Sequence, residues 1–237
     1  MEYRNKYLKY TDAVAYDKRG KSSILEKYVL GLWHPFLKNK IRELSADKII
    51  ADLGCGTCEY TKSAKAAQKI YAVDISRTML KICRVKLTDF KQVEIIEDSV
   101  LAVNLPTSDL VIAIGVWEYI NPRDLYRKIK EITRQGSKVI VVFPNICNDL
   151  NWMRSISKMK KAMPTGRQVA LRPGFIKKLF GQDFTLVESA SFGNVSFVPK
   201  QMQFLALPVW KFCDWLWRPF QKFLPLGINV YYLFERK

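Results

Sequence analysis

Residues 48–60 read Lys-Ile-Ile-Ala-Asp-Leu-Gly-Cys-Gly-Thr-Cys-Glu-Tyr. The apolar run from Ile49 to Leu53 predicts a buried parallel strand. Gly54 and Gly56 then permit a tight turn in which a ligand can approach the backbone. Thr57 can cap a helix, so we predict that a helix begins near it. A strand, a glycine turn and a helix N-terminus together predict a nucleotide-sized binding site at the carboxyl edge of a sheet.

Two acidic residues narrow the choice of ligand. A dinucleotide-binding turn requires Gly-x-Gly-x-x-Gly, and Glu59 stands where its last glycine would be. A negative charge at that position disfavours a diphosphate, and hence NAD. Asp52, directly before the turn, instead suits a ligand that carries an ammonium or a sulfonium group.

This segment resembles motif I of the class I S-adenosylmethionine-dependent methyltransferases, which is an acidic residue followed by Gly-x-Gly-x-Gly. The chain keeps Asp52, Gly54 and Gly56 and departs at the third glycine, which is Cys58. The resemblance implies S-adenosylmethionine as the cofactor. The alternative is an ordinary glycine turn in another α/β protein.

Strands and helices alternate after the motif. The strand predicted at Lys69–Asp74 ends in a carboxylate 22 residues after Asp52. A carboxylate about 20 residues beyond a glycine turn accepts hydrogen bonds from ribose hydroxyls. Ser76 is predicted to cap the next helix. Further predicted elements are a helix at Arg77–Leu87, strands at Val93–Glu97, Ser108–Gly115 and Lys138–Phe143, and a helix from Arg123 to Arg134 that Gln135-Gly136 ends.

This alternation with short connections implies right-handed crossovers and a parallel sheet. Residues 46–145, with Trp117-Glu118-Tyr119-Ile120 after strand four, resemble the small-molecule branch of the family, methyltransferase types 11 and 25. The resemblance implies an α/β fold with a Rossmann-like, doubly wound, mostly parallel seven-stranded sheet and helices on both faces. It also implies an antiparallel last strand between strands five and six. We predict an N-terminal helical cap at 1–45 and the cofactor-binding domain at 46–237.

The resemblance also implies a set of site residues, including Asp98 and Ser99 at the place where the family contacts adenine. The candidate cofactor-binding residues are Asp52, Gly54, Cys55, Gly56, Asp74, Ile75, Asp98, Ser99, Gly115 and Tyr16. The candidate catalytic residues on the acceptor side are Glu118, Tyr119 and His34. Glu118 would act as a general base if the acceptor must lose a proton. The alternatives are a surface carboxylate or a helix-capping residue for Glu118, a structural imidazole for His34 and core packing for Tyr16.

The ends of the chain carry further patterns. Ser23-Ile24-Leu25-Glu26 is a capping box, and its helix is expected to kink or break at Pro35 and resume towards Leu44. Residues 1–21 are expected to form a loose arm or a short helix. The remaining predictions are helices at Asn148–Lys161 and Phe175–Phe180, a basic loop at Pro164–Pro173, and strands at Thr185–Ser191 and Ile228–Arg236.

A Trp-rich insert at about 200–226 precedes the last strand. Within Val209–Leu224, the polar residues recur every three or four positions, which predicts one polar stripe on a helix. Trp210, Trp215 and Trp217 lie among the bulky remainder, and Pro208 and Pro219 are expected to interrupt the helix. Tryptophan beside lysine and arginine is typical of a helix at a bilayer surface. A dimer contact or a lid over an apolar substrate pocket are the alternatives.

Composition narrows the class of partner. Lysine and arginine number 39 against 22 acidic residues, a formal charge of +17. This balance favours anionic partners: acidic lipid, an anionic substrate or nucleic acid. We expect a small hydrophobic or lipid-like methyl acceptor, with an anionic membrane surface as a further partner through 209–224. The alternatives are an RNA or DNA methyltransferase, for which no Asn/Asp-Pro-Pro-Tyr/Phe follows strand four, and a non-catalytic cofactor-binding protein.

Five cysteines are present, an odd number, and residues 1–10 are too polar for a signal peptide. We therefore expect reduced thiols and a cytoplasmic protein that binds peripherally to the inner face of the membrane. Cys55 and Cys58 form a C-x-x-C with no second pair near, so no metal site is expected. The longest uncharged run, Phe223–Phe234, is shorter than the roughly 20 residues of a membrane span.

Overall fold

The computed structural model describes residues 13–17, 23–148, 170–195, 198–221 and 223–237. Its centre is a seven-stranded sheet of strand order β3-β2-β1-β4-β5-β7-β6. The strands are β1 (Ile49–Leu53), β2 (Lys69–Asp74), β3 (Val93–Glu97), β4 (Ser108–Ile114), β5 (Thr133–Pro144), β6 (Phe184–Phe192) and β7 (Asn229–Arg236). Strands β1 to β5 pair in parallel, and β7 lies antiparallel between β5 and β6. The predicted Rossmann-like fold is confirmed.

Six α-helices flank the sheet in the described part of the chain. They are α1 (Ala13–Asp17), α2 (Ile24–Leu44), α3 (Arg77–Lys86), α4 (Pro122–Glu131), α5 (Pro173–Phe180) and α6 (Gln203–Trp217). The caps predicted at Ser23 and Ser76 are confirmed, because Ser23 Oγ accepts from Glu26 N at 3.1 Å and Ser76 Oγ accepts from Met79 N at 3.4 Å. Each cap satisfies a backbone donor that has no partner within its helix.

Apolar layers cover both faces of the sheet. On one face, Leu37 and Ile41 of α2 pack with Ile50 and Ile140 in one buried cluster. On the other face, helices α4 and α5 contribute to a larger cluster with β4, β5 and β7. Because a central parallel strand is buried on both faces, it reads as a continuous apolar run, as β4 does.

The predicted helix at Thr57 is wrong. Residues 54–60 form turns, and only a single 3₁₀ turn, Thr61–Ser63, follows them before β2. Cys58 has φ +59°, a left-handed conformation that a right-handed helix cannot contain. The glycine turn therefore lacks the helix that the sequence pattern predicted for it.

Three other predicted boundaries differ. Pro35 and Pro208 both lie inside continuous helices, α2 and α6, because tertiary packing of these helices outweighs the loss of one backbone hydrogen bond. Helix α4 ends at Glu131, before the predicted glycine stop, since Thr133 already pairs with Ser108 of β4. Gly136, with φ +79°, therefore lies within the β5 strand.

Some predictions lie outside the described residues. These are the helix at 148–161, most of the basic loop at 164–173 and most of the arm at 1–21. The described residues contain no helix that is both long enough and apolar enough to cross a membrane.

Candidate active site

The glycine turn is held against the end of β2. Gly54 N and Cys55 N both donate to Val73 O, at 2.8 and 3.0 Å. Gly54 has φ +75°, and a Cβ there would lie 2.9 Å from Val116 Cγ2. A side chain is therefore excluded both by the backbone conformation and by the loop that follows β4. The turn brings the ends of β1, β2 and β4 together at one edge.

Asp74 fixes this turn in place. Its Oδ2 accepts from Gly56 N at 2.9 Å and its Oδ1 accepts from Ser76 N at 2.8 Å. The side chain is almost completely buried, and burial raises the pKa of Asp74 although these backbone hydrogen bonds lower it. The second lone pair of each oxygen leaves acceptor capacity for a ligand.

Asp52 lies at the neighbouring strand end and is equally buried. Its Oδ2 accepts a hydrogen bond from Thr61 Oγ1. Burial, together with the nearby charge of Asp74, raises the pKa of Asp52 to about 7, despite the lowering effect of Thr61. Two buried carboxylates side by side resist ionisation, and a cationic ligand would relieve that cost. The electrostatics of this edge therefore favour a cation and disfavour a phosphate.

The expected role of Glu59 requires correction. Lys38, Lys62 and Lys86 all form ion pairs with its carboxylate. Burial would raise the pKa of Glu59, but the lysine contacts dominate and hold the pKa at about 2. Since its charge is compensated, Glu59 does not repel a diphosphate by itself. The exclusion of a dinucleotide rests on Asp52 and Asp74 instead.

Other predicted cofactor-binding residues surround the turn. A Cβ on Gly56 would lie 4.0 Å from Tyr16 Cε1, so the ring of Tyr16 covers the turn. Helix α1, which carries Tyr16, is tied to α3 by the Asp17–Lys86 ion pair. Ile75 is half-buried beside Asp74. Asp98 N donates to Asp74 O at 3.2 Å, which places the end of β3 next to that of β2.

Asp98 and Ser99 form the outer rim of this group. The Asp98 side chain is exposed and accepts from Ser99 N at 2.7 Å. It is therefore available to a ligand at the surface of the cleft. The roles assigned to all these cofactor-binding residues stay predictions.

The acceptor-side candidates divide into two groups. Glu118 is buried after β4, and its Oε1 lies 3.9 Å from the position of a Cβ on Gly115, which has φ +67°. Tyr119 follows it and donates its backbone N–H to Val116 O. His34 lies on α2, its ring centroid 5.4 Å from that of Tyr60 in the loop after the glycine turn. The structure thus places His34 beside the motif loop, and Glu118 and Tyr119 beyond β4.

The cysteines depart from the expectation of reduced thiols. Cys58 and Cys83 form a disulfide between the motif loop and α3, with their Cα atoms 5.0 Å apart. Cys55, Cys147 and Cys213 are free. The sulfur atoms of Cys55, Cys58 and Cys83 all lie within 4.8 Å of one another. The pairing forms because the Cβ of Cys58 stands where the motif has a glycine and faces the buried side of α3.

Sequence reasoning missed several contributors to the site. Thr61 bonds Asp52 from nine residues away, and Val116 contacts the position of a Gly54 Cβ from the loop after β4. Lys86 joins the motif loop to α3 through Thr57 Oγ1 at 3.3 Å. No local pattern marks these residues, because their roles arise only when the ends of separate strands meet.

A family model described as "Methyltransferase domain" matches residues 51–141. This segment contains the glycine turn and both strand-end carboxylates. It also contains the whole of β2, β3 and β4 and most of β1 and β5. No curated protein matches the sequence.

Solved structures with the same fold are numerous. The magnesium protoporphyrin IX methyltransferase from Synechocystis PCC 6803 with bound S-adenosylhomocysteine has a TM-score of 0.68 at 13% identity, covering 99% of this chain and 100% of that one. The N-methyltransferase NodS from Bradyrhizobium japonicum WM9, also with S-adenosylhomocysteine, has a TM-score of 0.63 at 11% identity, with coverages of 99% and 97%.

A third structure, a putative S-adenosylmethionine-dependent methyltransferase from Listeria monocytogenes, has a TM-score of 0.62 at 13% identity, covering 87% of this chain and 99% of that one. At such identities the likeness establishes the fold. Together with the match of residues 51–141 to the methyltransferase-domain model, it shows that the chain has the fold of the class I S-adenosylmethionine-dependent methyltransferases.

Proposed function

We propose that this protein transfers a methyl group from S-adenosylmethionine to a small hydrophobic or lipid-like acceptor. The observation that supports the first half is the pair of buried carboxylates, Asp52 and Asp74, on either side of a glycine turn. The observation that supports the second half is a band of exposed apolar side chains on and after α6. Assignment of a cap to 1–45 and of the catalytic domain to 46–237 belongs to this proposal.

The residues of the strand ends fit S-adenosylmethionine. Asp74 would accept from the ribose hydroxyls and Asp52 would face the cationic end, while Asp98 and Ser99 would lie at the adenine. The absence of a side chain at Gly56 leaves room for close approach. When bound, S-adenosylmethionine supplies an electrophilic methyl group on a sulfonium. Tyr16 would exclude water from the turn, which strengthens the electrostatic interactions inside.

The chain's own residues would act mainly by placement. Methyl transfer needs the acceptor about 3–3.5 Å from the methyl carbon, in line with the breaking bond. Glu118, buried beyond β4, would take a proton from an acceptor that must lose one. His34 and Tyr119 would orient the acceptor from opposite sides of the cleft.

A cavity suited to an apolar acceptor lies beyond the end of β5. Its volume is about 360 Å³, within the range of small-molecule sites. The lining residues are Cys147, Asn148, Asn194, Val195, Cys213, Leu216, Trp217 and Leu226. The cavity therefore lies between the segment that follows β5 and helix α6.

Helix α6 is apolar on its outer face. Its inward positions, Gln203, Trp210 and Asp214, contact the protein: Trp210 is buried with Val29, and Asp214 Oδ1 accepts from Asn194 N at 2.7 Å. The polar stripe that the sequence predicted is therefore split between the two faces. We define the outer face as Phe204, Leu205, Val209, Phe212, Trp215 and Leu216, each at least half exposed.

The outer face is bordered by Lys211 and Arg218, both exposed. Exposed apolar side chains beside basic ones match an interfacial helix on an anionic bilayer. The formal charge of +17 would add long-range attraction to such a surface. We therefore propose that the protein works on an anionic membrane surface and takes its acceptor from that surface.

The first test is transfer of label. Purified protein with methyl-labelled S-adenosylmethionine and a total cell extract should place label in the organic-soluble fraction. Label in nucleic acid alone would contradict the lipid-like acceptor and favour the RNA or DNA alternative, whose support is the net charge. Cofactor binding without label in any fraction would favour the non-catalytic alternative.

The second test is vesicle flotation. The protein should float with phosphatidylglycerol vesicles and much less with phosphatidylcholine vesicles, and higher salt should reduce its recovery. The double variant F212S/W215S should lose flotation. Val85, which is 77% exposed on α3, offers a matched control, and V85S should float like the original. Equal recovery of F212S/W215S would overturn docking by the outer face.

A further inference from the structure

Cys58 occupies a backbone conformation that ordinarily selects glycine. Its φ is +59°, and it is one of two non-glycine residues with positive φ in the described ranges. Its N–H donates to Cys55 O at 2.9 Å, which closes the turn directly after Gly56. A residue with a Cβ adopts this conformation only when its surroundings hold it there.

The disulfide to Cys83 provides such a restraint. Cys83 lies on α3, whose N-cap Ser76 donates its N–H to Asp74 Oδ1. Asp74 in turn accepts from Gly56 N. The crosslink therefore closes a ring: motif loop, Asp74, the start of α3, and back through the two sulfur atoms to the motif loop. Cys58 and Cys83 are fully buried in one cluster with Ala72 and Leu80.

This restraint stands where the sequence predicted a helix. Between Gly54 and β2 the backbone forms turns and a single 3₁₀ turn. A full helix would fix the glycine turn through its own hydrogen-bond ladder, and the observed loop does not have one. The crosslink supplies the missing connection to the neighbouring element.

The third sulfur does not compete for the pairing. Cys55 Sγ lies within 4.8 Å of both partners. Burial, followed by the charges of Asp52 and Asp74, raises the pKa of the Cys55 thiol. A protonated thiol is a poor nucleophile in disulfide exchange, so the Cys58–Cys83 pairing persists beside it.

We propose that the Cys58–Cys83 disulfide is a positioning element for the cofactor turn, which replaces both the third glycine of the motif and the helix after it. The inference rests on the proposed S-adenosylmethionine site. A low-molecular-weight disulfide suffices as the oxidant: the two thiols lose two protons and two electrons, the sulfur–sulfur bond forms, and the oxidant is reduced to two thiols. Reduction reverses this and frees the loop.

The test compares affinity for S-adenosylhomocysteine by calorimetry across redox states and variants. Native protein should show three reactive thiols when unfolded without reductant, as Cys55, Cys147 and Cys213 are free. Reduced protein and the variant C58S/C83S should bind about tenfold more weakly, because a side chain then holds the left-handed conformation unaided. The variant C58G/C83S should recover affinity and should not respond to reductant.

The rescue by glycine separates positioning from general stability, since both double variants lack the crosslink. Thermal unfolding of the two variants is measured alongside. Equal affinity of oxidised, reduced and C58S/C83S protein would overturn the inference, as would five reactive thiols in the native protein. Absence of binding by every form, with the disulfide shown by thiol count, would overturn the proposed function and this inference with it.

Discussion

Globular proteins usually expose charged side chains and bury large apolar ones. The carboxyl edge of the sheet departs from the first rule, and the outer face of α6 departs from the second. The edge buries two carboxylates, Asp52 and Asp74. The outer face exposes large apolar side chains, among them Trp215, which is 68% exposed. Buried charged groups and contiguous exposed apolar surfaces are both unusual in globular proteins. Each therefore indicates a site of function.

The difference lies in how each region is satisfied. The edge is satisfied internally, since Asp74 accepts two backbone hydrogen bonds and Asp52 accepts one from Thr61. What remains is excess negative charge, which a cationic ligand can balance. The outer face has no such internal compensation within the described residues, and an apolar environment would stabilise it. The carboxyl edge therefore favours a small cationic ligand, and the outer face of α6 favours contact with an apolar surface.

The largest change in the free energy of unfolding is expected for a substitution on the inward side of α6, opposite its outer face. The substitution W210A removes a buried aromatic side chain that packs with Val29 of α2 and with Ile228, just before β7, and should lower the free energy of unfolding by about 3–5 kcal/mol. Urea denaturation measures it. A loss below 1 kcal/mol would show that α6 is not anchored by this residue.

At the edge, D74A should weaken S-adenosylhomocysteine binding about a hundredfold, because it removes the acceptor proposed for ribose and leaves two buried amides without a partner. Titration calorimetry measures the affinity. D89A, an exposed aspartate after α3, is the matched control and should bind normally. Unchanged affinity of D74A would show that Asp74 does not take part in cofactor binding.

A smaller effect concerns proton linkage at Asp52. Since burial and Asp74 raise the pKa of Asp52 to about 7, the ionised form that faces a cation disappears as the pH falls. Cofactor affinity should therefore drop about tenfold from pH 8 to pH 6. In D52N the affinity at pH 8 should be lower and nearly independent of pH in this range. An equally steep pH dependence in D52N would assign the titration to another group.

D52N should weaken cofactor binding, but it should stabilise the ligand-free protein. An acid whose pKa is raised in the folded state loses stability as the pH rises through that pKa. D52N removes this loss and retains an oxygen for Thr61. At pH 8 the ligand-free variant should therefore unfold at a temperature higher by about 2–4 °C, corresponding to roughly 1 kcal/mol. Thermal unfolding monitored by circular dichroism checks this, and a lower temperature would contradict it.

The smallest effect is expected on the outer face. W215A should change the free energy of unfolding by less than about 0.5 kcal/mol, because the side chain is already in solvent. Its contrast with W210A, five positions earlier on the same helix, is measured by urea denaturation of both variants. A large loss in W215A would mean that the outer face is covered in solution, for instance by a second copy of the chain.

Much of the edge could be predicted from the sequence because its signals are local. The apolar strands, the glycine turn, the carboxylates at strand ends and the serine caps are each encoded within a few residues. Thr61, Val116 and the Cys58–Cys83 pairing could not be predicted, since each acts across elements that are distant in sequence. The predicted helix at Thr57 failed because one left-handed residue, Cys58, overrides a favourable cap.

The sequence by itself determined the order of the strands, the class of fold and the acidic, glycine-rich character of the edge, because hydrophobic period and backbone conformational preference are local properties. Only the tertiary structure decided which face of α6 is inward, which lysines neutralise Glu59 and which cysteines pair. These outcomes depend on burial and on distances between separate elements, and the sequence pattern carries no direct record of either.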